Sequence, residues 1–385
     1  MIRVLHVSED HSANNTGISG AVDALTRYIP QDIQPAIACA GVETVPLKAG
    51  IRLAAFPING PGKFWRFSPG ASHALQQAVA EVDVVHLHGL WMWIQWAAAR
   101  QAFRLNKPFV ITPHGMLEAW IWQRQPGYQR LKKSLYWNAI AYPAFHRAAR
   151  VHALTAREAA TLQTYFPAHT PVVIPHGIDL QSVDRSLAEV SPAQAGEAPF
   201  FLFVGRLHPV KGIHLLIRAF ARLKGKDFCL KIAGPIQARE QAYAESLRRL
   251  VSELGLEQRV IFTGVVQGSE KWRLYQDAWA FCLPSQSEVI GLVNLEAASA
   301  GTPVITTFET GIIEDWDRCG GLRIHPQEED IFTALQLAQA WSPAERHARG
   351  RNLRRLVEER YSWVQVGQQW ADLYRSLAGS GEQGA

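Results

Sequence analysis

The sequence predicts an α/β protein of two doubly wound parallel-sheet domains with a ligand cleft between them. Three observations carry this. At 385 residues the chain is too long for one ordinary core and suits two. Short apolar runs alternate with amphipathic helical patterns, as in parallel sheets covered on both faces. One aperiodic stretch rich in Ala, Pro, Ser and Gly, "SLAEVSPAQAGEAP" at 186–199, interrupts that alternation and reads as a linker. The first domain is therefore expected over 1–185 and the second over 200–360.

Along the first half, "IRVLHVS" is a short buried strand, and "GAVDALTRYI" places Val22, Leu25 and Ile29 at helical spacing. "VDVVHLHG", "PFVITPHG", "RVHALT" and "PVVIPHG" are further strands, with "AREAATLQTYF" a helix between the last two. The second half repeats this logic. "FFLFVGR" is a strand, and "GIHLLIRAFARLK" is a helix with Ile213, Leu216, Ile217 and Phe220 on one face. "FCLKIAG", "VIFTG", "WAFCLPS" and "PVITT" are strands. The helix "REQAYAESLRRLVSELG" closes at Gly255 and "SEKWRLYQDA" is another.

Composition excludes several classes. Hydrophobic residues make up 48%, enough for substantial cores. Cys39, Cys229, Cys282 and Cys319 are scattered without paired spacing, which suits a reducing compartment and carries no zinc signature. The apolar start is cut off by Glu9 and Asp10, unlike a signal peptide. No uninterrupted apolar run reaches the roughly 18 residues of a membrane span. A cytoplasmic protein is expected, peripheral to a membrane at most, and no nucleic-acid partner is expected. The net charge of +5 lies in residues 1–190, which hold 17 Lys+Arg and 12 Asp+Glu. Residues 100–150 hold nine basic residues against one acid, Glu118, together with Trp120, Trp122, Tyr128, Tyr136 and Trp137. That mixture fits an anionic membrane surface or an acidic ligand; the alternative is a solvated basic face over core tryptophans.

Chemistry concentrates in "SQSEVIGLVNLEAASAGTPVITT", residues 285–307. It reads as strand end, loop, short helix and next strand, with Gly301 and Pro303 ending the helix. Glu288 falls in the loop leaving a strand's carboxyl end, where open α/β sheets bind ligands. Gly291 permits close backbone approach, and the amides of Leu292 and Val293 at the helix start suit an anion such as phosphate. Glu296 could accept a pair of vicinal hydroxyls. The bland alternatives are a solvated Glu288 and a Glu296 stabilised by the helix dipole; a glycosidase-like acid/base pair is also open.

These residues resemble the E-x7-E region of the family 4 retaining glycosyltransferases. The likeness runs in order through "TGISGAVDAL", "DVVHLHG", "TPHGML", "VVIPHGID", "FLFVGRLHPVKGIHLLIRAF" and "YSWVQVGQQWADLY". It implies the GT-B fold, two Rossmann-like domains facing across a cleft, with 361–385 as a closing helix and tail returning to the first domain. It also implies transfer of a sugar from a UDP- or GDP-sugar to an acceptor hydroxyl with retention. Arg206 and Lys211, beside Gly205, would meet the diphosphate together with the amides near Gly291, Leu292 and Val293. Glu288 would bind sugar hydroxyls, Glu296 the ribose, and His114 the sugar near the reacting centre. Gly17 would let the first-domain loop approach phosphate or acceptor. Two departures stand out: Val289 occupies a place where the family has glycine, and Thr16 another.

No cofactor or metal is expected, since Arg206, Lys211 and the amides could replace a metal ion. "DWD" at Asp315–Asp317 reads as a solvated loop. His86 and His88 share one face of a strand but lack a third ligand at suitable spacing, so they read as packing or cleft residues. A lipid-linked glycan in bacterial surface-polysaccharide assembly fits the basic, aromatic first domain as acceptor. A phosphorylase-like enzyme on a related scaffold and a non-catalytic nucleotide-sugar binding protein are the alternatives.

Overall fold

A computed structural model describes residues 1–11, 17–41, 50–56, 65–68, 70–118, 126–190, 198–225, 227–313 and 315–380. The chain divides into two units, Met1–Gly177 with Trp363–Ala385, and Ile178–Ser362.

The first unit holds a seven-stranded parallel sheet. Its strands are β1 (Ile2–Ser8), β2 (Ile33–Ala40), β3 (Arg52–Phe56), β4 (Val84–His88), β5 (Phe109–Thr112), β6 (Arg150–Ala153) and β7 (Val172–Val173). They run in the order β3-β2-β1-β4-β5-β6-β7. Neighbouring residues on one strand enter opposite layers. Val4 and Val84 pack with Trp370 and Tyr374, while Leu5 and Val85 pack with Leu75, Trp93 and Ile94. Both faces are therefore apolar, which is why these strands read as continuous hydrophobic runs. Helix Trp363–Ser380 belongs to this unit. It seats where Gly177 leaves room, since a Cβ there would collide with the Trp363 ring.

The second unit holds a six-stranded parallel sheet of β8 (Phe200–Val204), β9 (Cys229–Ala233), β10 (Val260–Gly264), β11 (Ala280–Leu283), β12 (Val304–Thr307) and β13 (Leu322–Ile324). Their order is β10-β9-β8-β11-β12-β13.

Several details differ from the sequence reading. Residues 180–188, which the expected bounds place at the end of the first domain and the start of the linker, form a helix, Leu180–Ala188, within the second unit. Asp179 caps it, accepting the Ser182 amide at 2.9 Å, and Arg354 of helix Pro343–Arg360 ties it down through Asp184 at 2.9 Å. Residues 191–197 of the expected linker lie outside the described residues, as do Thr16, Trp120 and Trp122. Strands β2 and β3 were not anticipated. Pro35 stands inside β2, opposite Val4 of β1, and proline argues against a central strand. The expected "DWD" loop is a short helix, Asp315–Arg318, around a fully buried Trp316. Asp317 accepts from Arg323 at 2.9 Å and Asp315 lies 3.4 Å from Arg318.

Candidate functional site

Each sheet reverses its strand order once, between β1 and β4 and between β8 and β11. Ligands of open α/β sheets bind outside the carboxyl ends of the strands at such switch points. Both points carry unusual chemistry.

In the second unit, β8 ends at Val204, and Gly205 and Arg206 lead on to a 3-10 turn, Pro209–Lys211. His208 caps that turn, its Nδ1 accepting the Val210 amide at 3.1 Å. Gly212 follows at φ 67, and a Cβ there would collide with the Pro284 carbonyl oxygen. A left-handed residue under another backbone must be glycine. The turn is thereby pressed onto the loop after β11, and the Gln286 amide donates to the Val210 carbonyl at 2.7 Å. The consequence is that Lys211 and Glu288, distant in sequence, meet as an ion pair, with the Ser285 hydroxyl donating to the same carboxylate oxygen at 2.9 Å. Both side chains are mostly buried, 13% and 17% exposed, so this pair is shielded more than an ordinary surface one.

Glu296, on helix Leu292–Ser299, is held from the other side. Lys271 donates to one oxygen at 2.7 Å and Tyr275 to the other at 2.8 Å. Burial, followed by the charge of Glu296, drives the Tyr275 phenol well above its ordinary pKa, so it stays a donor. A carboxylate has about four lone-pair sites, so two remain for a ligand. Beneath the loop lies a ladder of buried polar groups. Asn294 donates to Thr306 at 3.0 Å, Thr306 to Thr310 at 3.0 Å, and Thr310 to the Thr307 carbonyl at 2.7 Å. The Thr307 hydroxyl closes onto the Ser285 carbonyl at 2.6 Å. This ladder sets the path on which Glu288 and Glu296 stand.

The helix start departs from expectation. The Gly291 amide donates to the Thr310 carbonyl at 3.0 Å and the Leu292 amide turns back to Ile290 at 3.0 Å. Neither faces an anion as expected, because the loop consumes them. The Val293 amide has no acceptor among the described residues. Gly291 itself is needed for space, since a Cβ would come within 2.7 Å of the Asn294 amide. Val289 is absent from the described residues with positive φ, so the loop passes it without the conformation that glycine would have allowed. Arg206 is exposed and reaches Gln237 at 3.4 Å, rather than joining the Lys211–Glu288 pair.

In the first unit, histidines from successive strands line one side of the sheet. Burial holds His6 and His152 at about 3 and His176 at about 4, and drives His86, His88 and His114 well below the ordinary value. They are therefore neutral, and their tautomers follow from their partners. The Ile174 carbonyl only accepts, so His152 Nε2 donates to it at 2.8 Å. His152 Nδ1 then accepts from the Thr112 hydroxyl at 2.9 Å, and Thr112 accepts from His86 Nε2 at 2.7 Å. His86 Nδ1 must accept, so the Tyr374 hydroxyl donates to it at 2.7 Å. A second chain, His6–His88–His114, has two links of 3.1 Å and no carbonyl to fix its direction. His6 Nε2 is left without a partner.

His114 ends this second chain just past β5. It has φ 53, an uncommon conformation for a side-chain-bearing residue, and stacks on His176 with ring centres 5.6 Å apart. The next amide, Gly115, donates to Glu158 at 2.6 Å, and Leu154 donates to its other oxygen at 2.7 Å. Burial raises the Glu158 carboxyl to about 7. Glu158 escaped the sequence reading, although Thr155-x-x-Glu158 is the spacing of a capping box. The third histidine beside His86 and His88 is His6, paired with His86 in the β1–β4 register, a neighbour that spacing within one strand could not reveal. Their ring nitrogens lie within 4.8 Å of one another, but both nitrogens of His86 are already engaged. Gly17 is exposed at the start of helix Ile18–Tyr28, with open space around it.

Residues 16–182 match the family described as Glycosyltransferase Family 4, and residues 185–317 match Glycosyl transferases group 1. Together these cover most of the chain. It belongs to the family 4 glycosyltransferases. This glycosyltransferase is similar to an uncharacterized glycosyltransferase of Methanocaldococcus jannaschii, 33% identical over 45% of this chain and 44% of that one. It is also similar to the D-inositol 3-phosphate glycosyltransferase of Mycolicibacterium gilvum, 32% identical over 46% of this chain and 40% of the other. The matched stretch thus spans less than half the length of these curated relatives. Among solved structures, Anabaena HepE in complex with UDP and glucose aligns over 98% of this chain and 100% of that one, with TM-score 0.70 and 19% identity. The shared architecture is GT-B, with two Rossmann-like domains.

Proposed function

We propose that the chain is a retaining, metal-independent hexosyltransferase that moves a sugar from a UDP- or GDP-sugar to an acceptor hydroxyl. The observation that carries this is the meeting of Lys211 and Glu288 at the β8/β11 switch point, with Glu296 eight residues beyond. Family membership and the UDP and glucose bound by HepE support the donor. In this reading the acceptor oxygen forms a bond to the anomeric carbon as the carbon–phosphate oxygen bond breaks. The acceptor proton passes to the departing phosphate oxygen, and nucleoside diphosphate leaves. Lys211 and Arg206 stabilise the charge that develops there. Glu288 receives sugar hydroxyls and Glu296 the ribose diol, while His114 orients the sugar. No covalent intermediate is required, since the front-face route passes through an oxocarbenium-like state.

The acceptor we assign is a lipid-linked glycan of bacterial surface-polysaccharide assembly, met at an anionic membrane surface through residues 100–150. Among the described residues no helix is long and apolar enough to cross a membrane, so contact would be peripheral. The deciding measurement is release of nucleoside diphosphate with and without acceptor, in EDTA. Acceptor-dependent release with retained anomeric configuration supports the reading. Sugar 1-phosphate formed only with added phosphate would make the protein a phosphorylase. Tight donor binding without turnover would make it a sensor. Activity lost in EDTA and restored by magnesium would overturn metal independence.

A further inference from the structure

In the first unit, helix Trp93–Arg104 and the segment 137–147 enclose a groove of about 440 Å³, within the size range of small-molecule sites. Its floor is apolar: Trp65, Trp96, Phe103, Ile140 and Pro143 among others. Three exposed arginines also line it, Arg100, Arg104 and Arg147. Among the described residues none of the three has an ion-pair partner. The guanidinium of Arg100 lies over the Trp96 ring at 4.8 Å and that of Arg147 over Phe103 at 4.0 Å, so aromatic faces hold both cations at the groove.

One wall belongs to a continuous helical rod. Helix Gly127–Tyr136 continues through a π-helical turn, Trp137–Ala141, into Tyr142–Phe145. Such turns are often found at functional sites. Helix Gly127–Tyr136 has no buried residue, and Tyr128, Leu131 and Leu135 are 70%, 62% and 62% exposed. Those three, followed by Ala139 and Pro143, recur at intervals of three and four and are all exposed, so an apolar stripe leads into the groove. Arg130, Lys132 and Lys133 share the rod. An exposed apolar stripe with basic flanks suits a helix lying in a bilayer interface. An apolar groove lined by cations suits an amphiphile of opposite charge.

We propose that this groove binds an anionic glycerophospholipid of the bilayer. An acyl chain occupies the apolar floor, and the headgroup phosphate rests on Arg100, Arg104 and Arg147. The rod Gly127–Phe145 lies in the interface beside it. This deepens the membrane reading given above by naming the site and the lipid.

The test uses the full chain with vesicles of phosphatidylcholine alone or mixed with phosphatidylglycerol, at low and high salt. Wild type should sediment with the mixed vesicles only. Brominated acyl chains should quench its tryptophan fluorescence, and the quenching should shrink in Trp96→Phe. Removing three cations should weaken partition on the order of 100-fold, so R100Q/R104Q/R147Q should remain in the supernatant. The single exposed variant Arg104→Glu covers the event that the triple variant misfolds, and should weaken partition at least about tenfold. Wild-type binding that both variants retain would overturn the groove while leaving membrane contact standing. Absence of wild-type binding to anionic vesicles would overturn both. Displacement of the protein from vesicles by millimolar inorganic phosphate would mark a free-anion site and overturn the lipid assignment.

Discussion

Lys211 stands in a site proposed to receive a diphosphate, yet its ammonium is paired with Glu288. The two residues should therefore give opposite results when changed. Lys211→Ala removes charge stabilisation from the departing diphosphate, and kcat/KM should fall at least about 100-fold. Glu288→Gln frees the lysine and removes a repelling carboxylate. Calorimetry should then show nucleoside diphosphate binding several-fold tighter while turnover drops. Weaker binding in Glu288→Gln would contradict a lysine held in reserve for the anion. At this scale Lys211, Glu288 and Glu296 could be singled out from the sequence, because each belongs to a local pattern. It was silent on what holds them. Lys271 and Tyr275, one helical turn apart, are recognisable as partners only once Glu296 is packed against that helix. Ser285 lay in the quoted stretch without any sign that it would bond Glu288.

The turn Pro209–Gly212 is the element on which that placement depends. Gly212→Ala should strain a left-handed backbone and push against Pro284, a cost on the order of 2 kcal/mol. In a domain of this size that lowers Tm by about 4–8 °C, and Lys211 should lose activity with it. Gly17→Ala is the control. Gly17 has φ −71 and open space around it, so scanning calorimetry should find Tm unchanged. A Gly212→Ala protein as stable and active as wild type would remove the close approach from the account. Strand β8 before this turn was readable as a continuous apolar run, and helix Ile213–Ala221 after it as an amphipathic pattern. The loop between Glu288 and Gly291 was not, because amide partners such as Thr310 and Ile290 are chosen by tertiary packing. An amide looks available at a helix start until the fold gives it an acceptor.

For the whole molecule, six neutral histidines in one layer make folding sensitive to acid. Their folded pKa values lie below the unfolded value of about 6.5, at about 3 for His6 and His152 and about 4 for His176. Below pH 6.5 the unfolded chain binds more protons, so stability falls as pH falls. Above that pH the contribution is complete. Glu158, raised to about 7, works in the opposite direction between pH 7 and 4.5, one group against six. Urea midpoints should be level from pH 8 to 7 and decline steeply from 6.5 to 5. A level profile down to pH 5 would mean that the histidine layer does not stay neutral.

The α/β class and the family were legible in the sequence alone. These depend on local periodicity and on short spacings that any fold of the chain must carry. The tertiary structure alone decided that Lys211 meets Glu288, that His6 joins His86 and His88, and that helix Leu180–Ala188 joins the second unit. Each is a contact between segments far apart in the chain, and its partner is selected by strand order and close packing, which no window of neighbouring residues contains.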